Sequence, residues 1–320
     1  MGQSFSEKVK DPSYYPVLYE MLPPPGNGNH SASQAFLKVL DKIFHNVRID
    51  AINIPEIHEE KGQSGQKEVQ TFDKAVPRQF AREILKHRKD FEVIINHVVV
   101  HQPPEIFHQW AAETYDEFGL KNLILVGGES PKIKYPGPTV TEAAEYLRDK
   151  YVSGVKDNKC ALLGGITIPT RRHAQVEQDE PARLVKKSQS GIEFFTSQVI
   201  YEAETTKSLL SAYNTYCHKA GVKPKRIFIS FAPVSTPKDI KFLRWLGVSI
   251  PEEVEQHLLE GWVGMGWRSV ELCQEILSDI LNHIRKFKLK VPIGINVEHI
   301  MKYNVELSKE LLVNLSETLK

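Results

Sequence analysis

The sequence predicts an α/β protein built as a single (β/α)8 TIM barrel. Three observations carry that prediction. Short apolar, β-branched runs alternate eight times with stretches of helical periodicity along the 320 residues, the pattern of a parallel sheet covered by helices. Several of the runs are apolar on both faces, as strands buried between a barrel interior and a helical layer must be. Polar side chains then fall at the C-terminal tips of several different runs, where barrels of this kind gather their sites.

The elements read in order as follows. Residues 14–20 form a first strand, followed by a Pro/Gly/Asn loop from Pro23 to Asn29. Ser31 or Ser33 caps a helix whose apolar positions Phe36, Leu37, Leu40 and Ile43 have helical spacing. Residues 49–54 are the second strand, ended by Pro55, and the charged, glycine-containing stretch 59–68 is an exposed loop. Phe80, Ile84 and Leu85 mark the next helix, residues 91–100 the third strand and residues 105–117 the helix after it. The fourth strand, residues 122–126, runs into Gly127-Gly128-Glu129. Thr139 and Glu142 have the capping-box spacing, and Val140, Ala144, Leu147 and Tyr151 continue at helical intervals. Strands at 160–168, 192–197, 226–231 and 291–296 complete the eight, separated by helices at 180–190, 203–219, 237–246, 251–259 and 269–287, with a last helix at 305–319. No linker divides the chain, so residues 1–320 read as one domain with a short polar N-terminal extension over about residues 1–13.

Composition narrows the function classes. A net charge of +1 gives no basic footprint for nucleic acid. No apolar run approaches the roughly 18 residues of a membrane span, and the polar N-terminus lacks a signal-peptide core, so a cytoplasmic protein is expected. Met1-Gly2 with Ser6 matches the loose myristoylation pattern at the level of chance. Cys160, Cys217 and Cys273 lack metal-ligand spacing and read as reduced structural thiols.

Three strand-tip residues are the candidate site. Glu20 ends the first strand, Glu129 follows two glycines after the fourth, and Gln198 ends the sixth. Each has an ordinary alternative: a solvated loop carboxylate for Glu20, a charged turn tip for Glu129 and a glutamine bonded to backbone for Gln198. Their equivalent positions favour one shared pocket. Two carboxyl groups and an amide suit a protonatable nitrogen ligand: one carboxyl, its pKa raised by burial, donates a proton, and the other stabilises developing positive charge. His97 and His101 sit four apart on a strand, about 13 Å from each other, too far to chelate one ion. His97 remains a candidate pocket residue, and no metal is expected. Arg171, Arg172 and His173, followed by Arg183, Lys186 and Lys187, read either as a site for dinucleotide phosphates or as a solvated basic face. Gly264-Met265-Gly266 does not follow a strand, which excludes a dinucleotide fingerprint there.

Leu18-Tyr19-Glu20-Met21-Leu22-Pro23-Pro24, Ile95-Asn96-His97-Val98, Leu125-Val126-Gly127-Gly128-Glu129, the run from Gly191 to Gln198, Ala232-Pro233-Val234-Ser235 and the run from Phe242 to Pro251 together resemble methylenetetrahydrofolate reductase. The resemblance extends from about Tyr14 to the last helix. It implies a barrel that reduces 5,10-methylenetetrahydrofolate to 5-methyltetrahydrofolate in one-carbon metabolism, toward methionine biosynthesis. It implies that Glu20 protonates the folate N10, that Glu129 stands beside the pterin, and that Gln198 binds the pterin, with Tyr201 and His97 as further substrate-binding positions. Thr167, Arg171, Arg172, His173, Arg183 and Lys187 are the implied cofactor contacts. This chain departs from the family where Gly127-Gly128-Glu129 replaces Arg-Gly-Asp and where Thr167-Ile168-Pro169-Thr170-Arg171-Arg172-His173 replaces the flavin-contacting pattern. The folate half of the site is kept and the flavin half rewritten, as in a divergent branch that also carries Gly294-Ile295-Asn296-Val297-Glu298. NADH or NADPH is therefore the expected reductant, with direct hydride transfer; FAD is the lesser expectation. The partners expected are a small-molecule folate, no nucleic acid and no membrane, with a homo-oligomer left open. A tetrahydrofolate-dependent one-carbon or methyl transferase and a non-catalytic folate-binding barrel are the alternatives on the same pocket.

Overall fold

The strands β1 (Val17–Met21), β2 (Ala51–Ile54), β3 (Val93–Val98), β4 (Asn122–Val126), β5 (Leu162–Thr167), β6 (Phe194–Val199), β7 (Arg226–Phe231) and β8 (Ile293–His299) pair in parallel in chain order. The barrel closes where β8 pairs back with β1, Glu20 opposite Glu298 and Met21 opposite His299. This is the (β/α)8 architecture expected from the alternation of runs. The computed structural model describes residues 3–24, 30–45, 47–56, 76–128, 134–153, 161–171, 179–260 and 264–320, without the side chains of residues 30–35.

The period of two along each strand divides the apolar residues between two cores. Tyr19, Ile52, Ile95, Leu125, Leu163, Phe195, Ile229 and Val297 face outward and are buried against the helices. Those helices include α2 (His30–Phe44), α3 (Pro77–His87), α4 (Pro104–Ala112), α5 (Val140–Tyr151), α6 (Glu180–Gln189) and α7 (Glu204–Ala220). Leu18, Ala51, Ile94, Ile124, Leu162, Phe194 and Phe228 face inward and fill the lumen. Two large rings fit there because small residues oppose them. A Cβ on Gly164 would lie 2.4 Å from the Phe194 ring, so glycine at that position is what admits the phenylalanine.

The polar N-terminus is more than an extension. Ser4 caps a short helix, α1 (Phe5–Lys10), through a reciprocal capping box with Glu7. That helix buries Phe5 and Val9 in the floor of the barrel. The Phe5 ring meets Phe194 edge-on at 6.3 Å and stacks on Phe228 at 6.4 Å. Arg226, fully buried at the start of β7, donates to the carbonyls of Val9 (2.9 Å), Asp11 and Ile293, which ties the plug to the strands. Removal from water holds its guanidinium down to about 10. Asp50 completes the floor by accepting from Lys8, Tyr14 and the Val17 backbone.

The later helices are α8 (Pro237–Trp245), α9 (Glu252–Leu259), α10 (Met265–Phe287) and α11 (Val305–Thr318). α8 and α9 carry Ile240, Leu243 and Leu258 into a satellite core with Val199, Tyr201, Ala232 and Val234, beside the C-terminal ends of β6 and β7. Two departures from the sequence reading bear on the site. β8 runs to His299 rather than ending at Asn296, because its ladder with β1 continues through Met21. The register of β6 on β7 slips between Thr196 and Val199, so Gln198 lies in an irregular stretch. Among the described residues, no helix is long and apolar enough to cross a membrane.

Candidate active site

Carrying the inward alternation one step beyond the apolar lumen gives the residues that line the C-terminal mouth. They are Glu20 on β1, Asn53 on β2, Asn96 on β3, Val126 on β4, Ile166 on β5, Thr196 on β6, Ser230 on β7, and Asn296 and Glu298 on β8. The polar members run along the β6–β7–β8–β1–β2–β3 arc, and the β4–β5 side is apolar.

Glu20 is the centre of this arc. Its Oε2 accepts from the Asn53 amide at 2.6 Å and from the Asn296 amide at 3.2 Å. The Asn296 amide also reaches Ser230 Oγ at 3.0 Å and Glu298 Oε1 at 3.5 Å. Both carboxyl groups keep a little accessible surface at the open mouth but are enclosed by protein on their other sides. Burial therefore decides their ionisation. Desolvation pushes Glu20 up to about 7, against the two amide hydrogen bonds that favour its charged form. Glu298 is raised well above the usual carboxyl range, first by desolvation and then by the charge of Glu20, with a hydrogen bond from Ser230 opposing. Asn53 Oδ1, Asn96 Oδ1 and Asn296 Oδ1 are buried and have no hydrogen-bond partner in the protein. Such acceptors are costly unless something donates to them.

The other expected residues separate. His97 is on β3, but its odd position turns it outward. Its ring stacks on Trp110 at 3.7 Å and its Nδ1 lies 3.0 Å from Glu56, in the layer between barrel and helices. The lumen-facing residue of that pair is its neighbour Asn96, so the assignment of His97 to the pocket is corrected. Tyr201 is fully buried in the satellite core and its hydroxyl donates to the Ala232 carbonyl at 2.6 Å, a wall position rather than a ligand contact. Gln198 donates from Nε2 to the Leu246 carbonyl at 3.3 Å, the backbone-bonded alternative, at the rim between β6 and the end of α8. Glu129 lies outside the described residues, as do Arg172 and His173. Gly128, just before Glu129, packs so close to Tyr135 that a Cβ would stand 2.2 Å from the ring.

Thr167, Arg171, Arg183 and Lys187 do come together, around a residue that sequence reasoning passed over. Glu180, at the start of α6 and almost fully buried, accepts from Thr167 Oγ1 at 3.1 Å, the Ile168 backbone at 3.2 Å and Arg171 at 3.0 Å. Arg183 Nε stands 3.4 Å from the same carboxylate without hydrogen-bond geometry. Lys187 donates to the Ile166 carbonyl at 2.7 Å, and burial holds its ammonium down to about 8. This cluster stands on the outer side of β5, against α6. Its signal in the sequence was Asp179-Glu180-Pro181, where Asp179 caps α6 and proline opens it. Among the described residues, no three His, Cys, Asp or Glu side chains converge as metal ligands. A surface hollow between α4 and α5, lined by Phe107, His108 and Tyr146, is on the outer wall.

Fold and site together define a (β/α)8 barrel with a buried pair of carboxyl groups at its C-terminal mouth. The chain is similar to an uncharacterized protein from Clostridium thermocellum that binds two copies of 5-methyl-5,6,7,8-tetrahydrofolic acid; the TM-score is 0.76 at 21% identity, over 98% of this chain and 99% of that one. It is similar in fold to apo-MsnO8, with a TM-score of 0.53 at 11% identity over 96% of this chain and 99% of that one. No protein-family model and no curated protein matches the chain.

Proposed function

We propose that this barrel binds a reduced folate at its C-terminal mouth and reduces 5,10-methylenetetrahydrofolate to 5-methyltetrahydrofolate at the expense of NADH or NADPH. The observation that carries the reading is Glu20: a carboxyl at the tip of β1, held by two asparagine amides, with burial bringing its proton affinity close to neutrality. An acid of that strength is matched to protonating an amine nitrogen at physiological pH. Its support from outside the chain is the similar barrel that binds 5-methyltetrahydrofolate, the product of the proposed reaction.

In this reading Glu20 gives its proton to the folate N10, and the C–N10 electron pair leaves with that nitrogen. The N5 lone pair closes onto the methylene carbon as an iminium. Asn53 and Asn296 then hold the new carboxylate through the N–H groups that already point at it. The apolar β4–β5 side of the mouth, Val126 and Ile166, suits the face of a flat heterocycle. A reduced nicotinamide, when bound, supplies hydride to the methylene carbon. Arg171 and Arg183 share a single carboxylate, Glu180, with Lys187 beside them. Among the described residues that leaves an excess of positive charge suited to dinucleotide phosphates, and these two arginines are the residues that would hold them. FAD remains the lesser expectation.

The test is anaerobic turnover of methylenetetrahydrofolate with NADH or NADPH, on protein whose visible spectrum shows whether flavin is bound. Turnover by colourless protein, reduced about 100-fold or more in Glu20→Gln, is the expected outcome. Unchanged turnover in that variant refutes the role of Glu20. A second reading is a folate-binding barrel without reductase activity, favoured by the same structural neighbour; it predicts folate binding without nucleotide oxidation.

A further inference from the structure

The expected counter-charge, Glu129, lies outside the described residues. Among the described residues another carboxyl group stands beside Glu20. β1 and β8 are adjacent across the closing seam, and their register sets Glu20 directly opposite Glu298, both facing the lumen. Asn296 bridges them, with its amide 3.2 Å from Glu20 and 3.5 Å from Glu298, and Ser230 donates to Glu298 from β7. We propose that Glu298 is a positioning residue for Glu20: it keeps its own proton and offers it to the carboxylate that Glu20 becomes, so that after proton transfer the pair faces the ligand as a single shared negative charge.

The chemistry of the surroundings requires an arrangement of this kind. Two carboxylates side by side in a poorly solvated site cannot both ionise without large cost. The groups facing the pair are Asn53 from β2, Ser230 from β7 and Asn296 from β8, all uncharged. Among the described residues no cation acts on either carboxyl. The Tyr201 hydroxyl, beyond β6, senses the Glu298 charge but is held un-ionised by burial, far above its usual value. A shared proton is then the means of stabilising one negative charge. A second observation points to a ligand here. Asn53 and Asn296 are fully buried, bond to Glu20 through their amide nitrogens, and are left with unpartnered Oδ1 atoms beside the pair. Those acceptors fit the N–H groups of a nitrogen heterocycle.

The proton balance follows. The pair starts with two protons. The O–H bond of Glu20 breaks as an N–H bond forms on the ligand nitrogen. The second proton stays between the carboxyl groups, and the single negative charge left behind offsets the cation formed on the ligand. The identity of the ligand as a folate rests on the function proposed above; the pairing does not.

Two measurements separate the claims. Ligand-free protein carrying 13C-glutamate is titrated by difference infrared spectroscopy, following the protonated-carboxyl band in wild type and Glu20→Gln. The expected result is two ionisations in wild type and, in the variant, one that lies at least about one pH unit below the higher of the two. An ionisation left where the wild type had it overturns the proposal. The pH profile of kcat/KM for folate reduction is then compared in Glu298→Gln, which keeps a donor, and Glu298→Leu, which does not. Glu298→Gln should stay within about tenfold of wild type, while Glu298→Leu falls about 100-fold with its pH break displaced upward. Equal loss in both variants with an unmoved break overturns the proposal while leaving the folate reading intact. Coupled ionisations in a protein that neither binds nor reduces folate sustain the pairing and remove the folate reading.

Discussion

Replacing Glu20 by Gln should stabilise this protein, and by an amount that depends on pH. The unfolded chain ionises this residue at the usual value near 4.5, and the folded chain only at about 7. Between those values unfolding releases a proton, so the contribution of Glu20 to stability is fully present below pH 4.5 and is lost as pH rises to about 7. At about 1.36 kcal/mol per pH unit, the loss amounts to about 3 kcal/mol, an upper figure because water reaches the open side of the group. Gln carries no such cost, and its carbonyl still accepts from Asn53 and Asn296. Urea unfolding of wild type and Glu20→Gln at pH 4.5, 6, 7 and 8 measures the difference directly. The two proteins should be close at pH 4.5 and differ by about 3 kcal/mol at pH 8, about 6 °C in Tm at about 2 °C per kcal/mol. Stability differences that stay parallel across the range would refute the assignment of Glu20 as a desolvated carboxyl. The same variant should lose turnover while gaining stability, which separates a working acid from a structural one.

Two further outcomes follow from the floor and the outer wall. Phe5→Ala should cost about 3–4 kcal/mol in urea unfolding, because its ring fills the bottom of the lumen against Phe194 and Phe228; a loss below 1 kcal/mol would mean that α1 does not plug the barrel. Glu180→Gln should cost about 3 kcal/mol by leaving Arg171, Arg183 and Lys187 around an uncharged amide, and added phosphate should raise the Tm of the variant more than that of wild type.

How much of this was legible in the chain depends on what each residue's neighbours reveal. The tip of β1 could be read because an apolar run stops at Glu20 and Met21 and a proline run follows, and proline cannot continue a ladder. The eight-fold alternation could be read because helices and buried strands have different periods. The face of each strand could not. Ile94-Ile95-Asn96-His97-Val98 has no polar–apolar alternation, since both faces of a barrel strand are buried, and nothing local says whether Asn96 or His97 looks into the lumen. Closure of the barrel turned Asn96 inward and stacked His97 on Trp110.

Glu298 was hidden for a related reason. Val297-Glu298-His299 reads as the polar exit of a strand, and only the hydrogen-bonded register of β8 on β1 keeps it in the ladder and sets its carboxyl opposite Glu20. The gathering of Thr167, Arg171, Arg183 and Lys187 around Glu180 likewise depends on α6 folding back against β5. The sequence by itself determined the fold class, the tip of β1 and one acid of the candidate site, because these follow from local periodicity and from residues that stop a strand. The tertiary structure alone decided which side chains meet, because pairing register and barrel closure join residues as distant in the chain as Glu20 and Glu298.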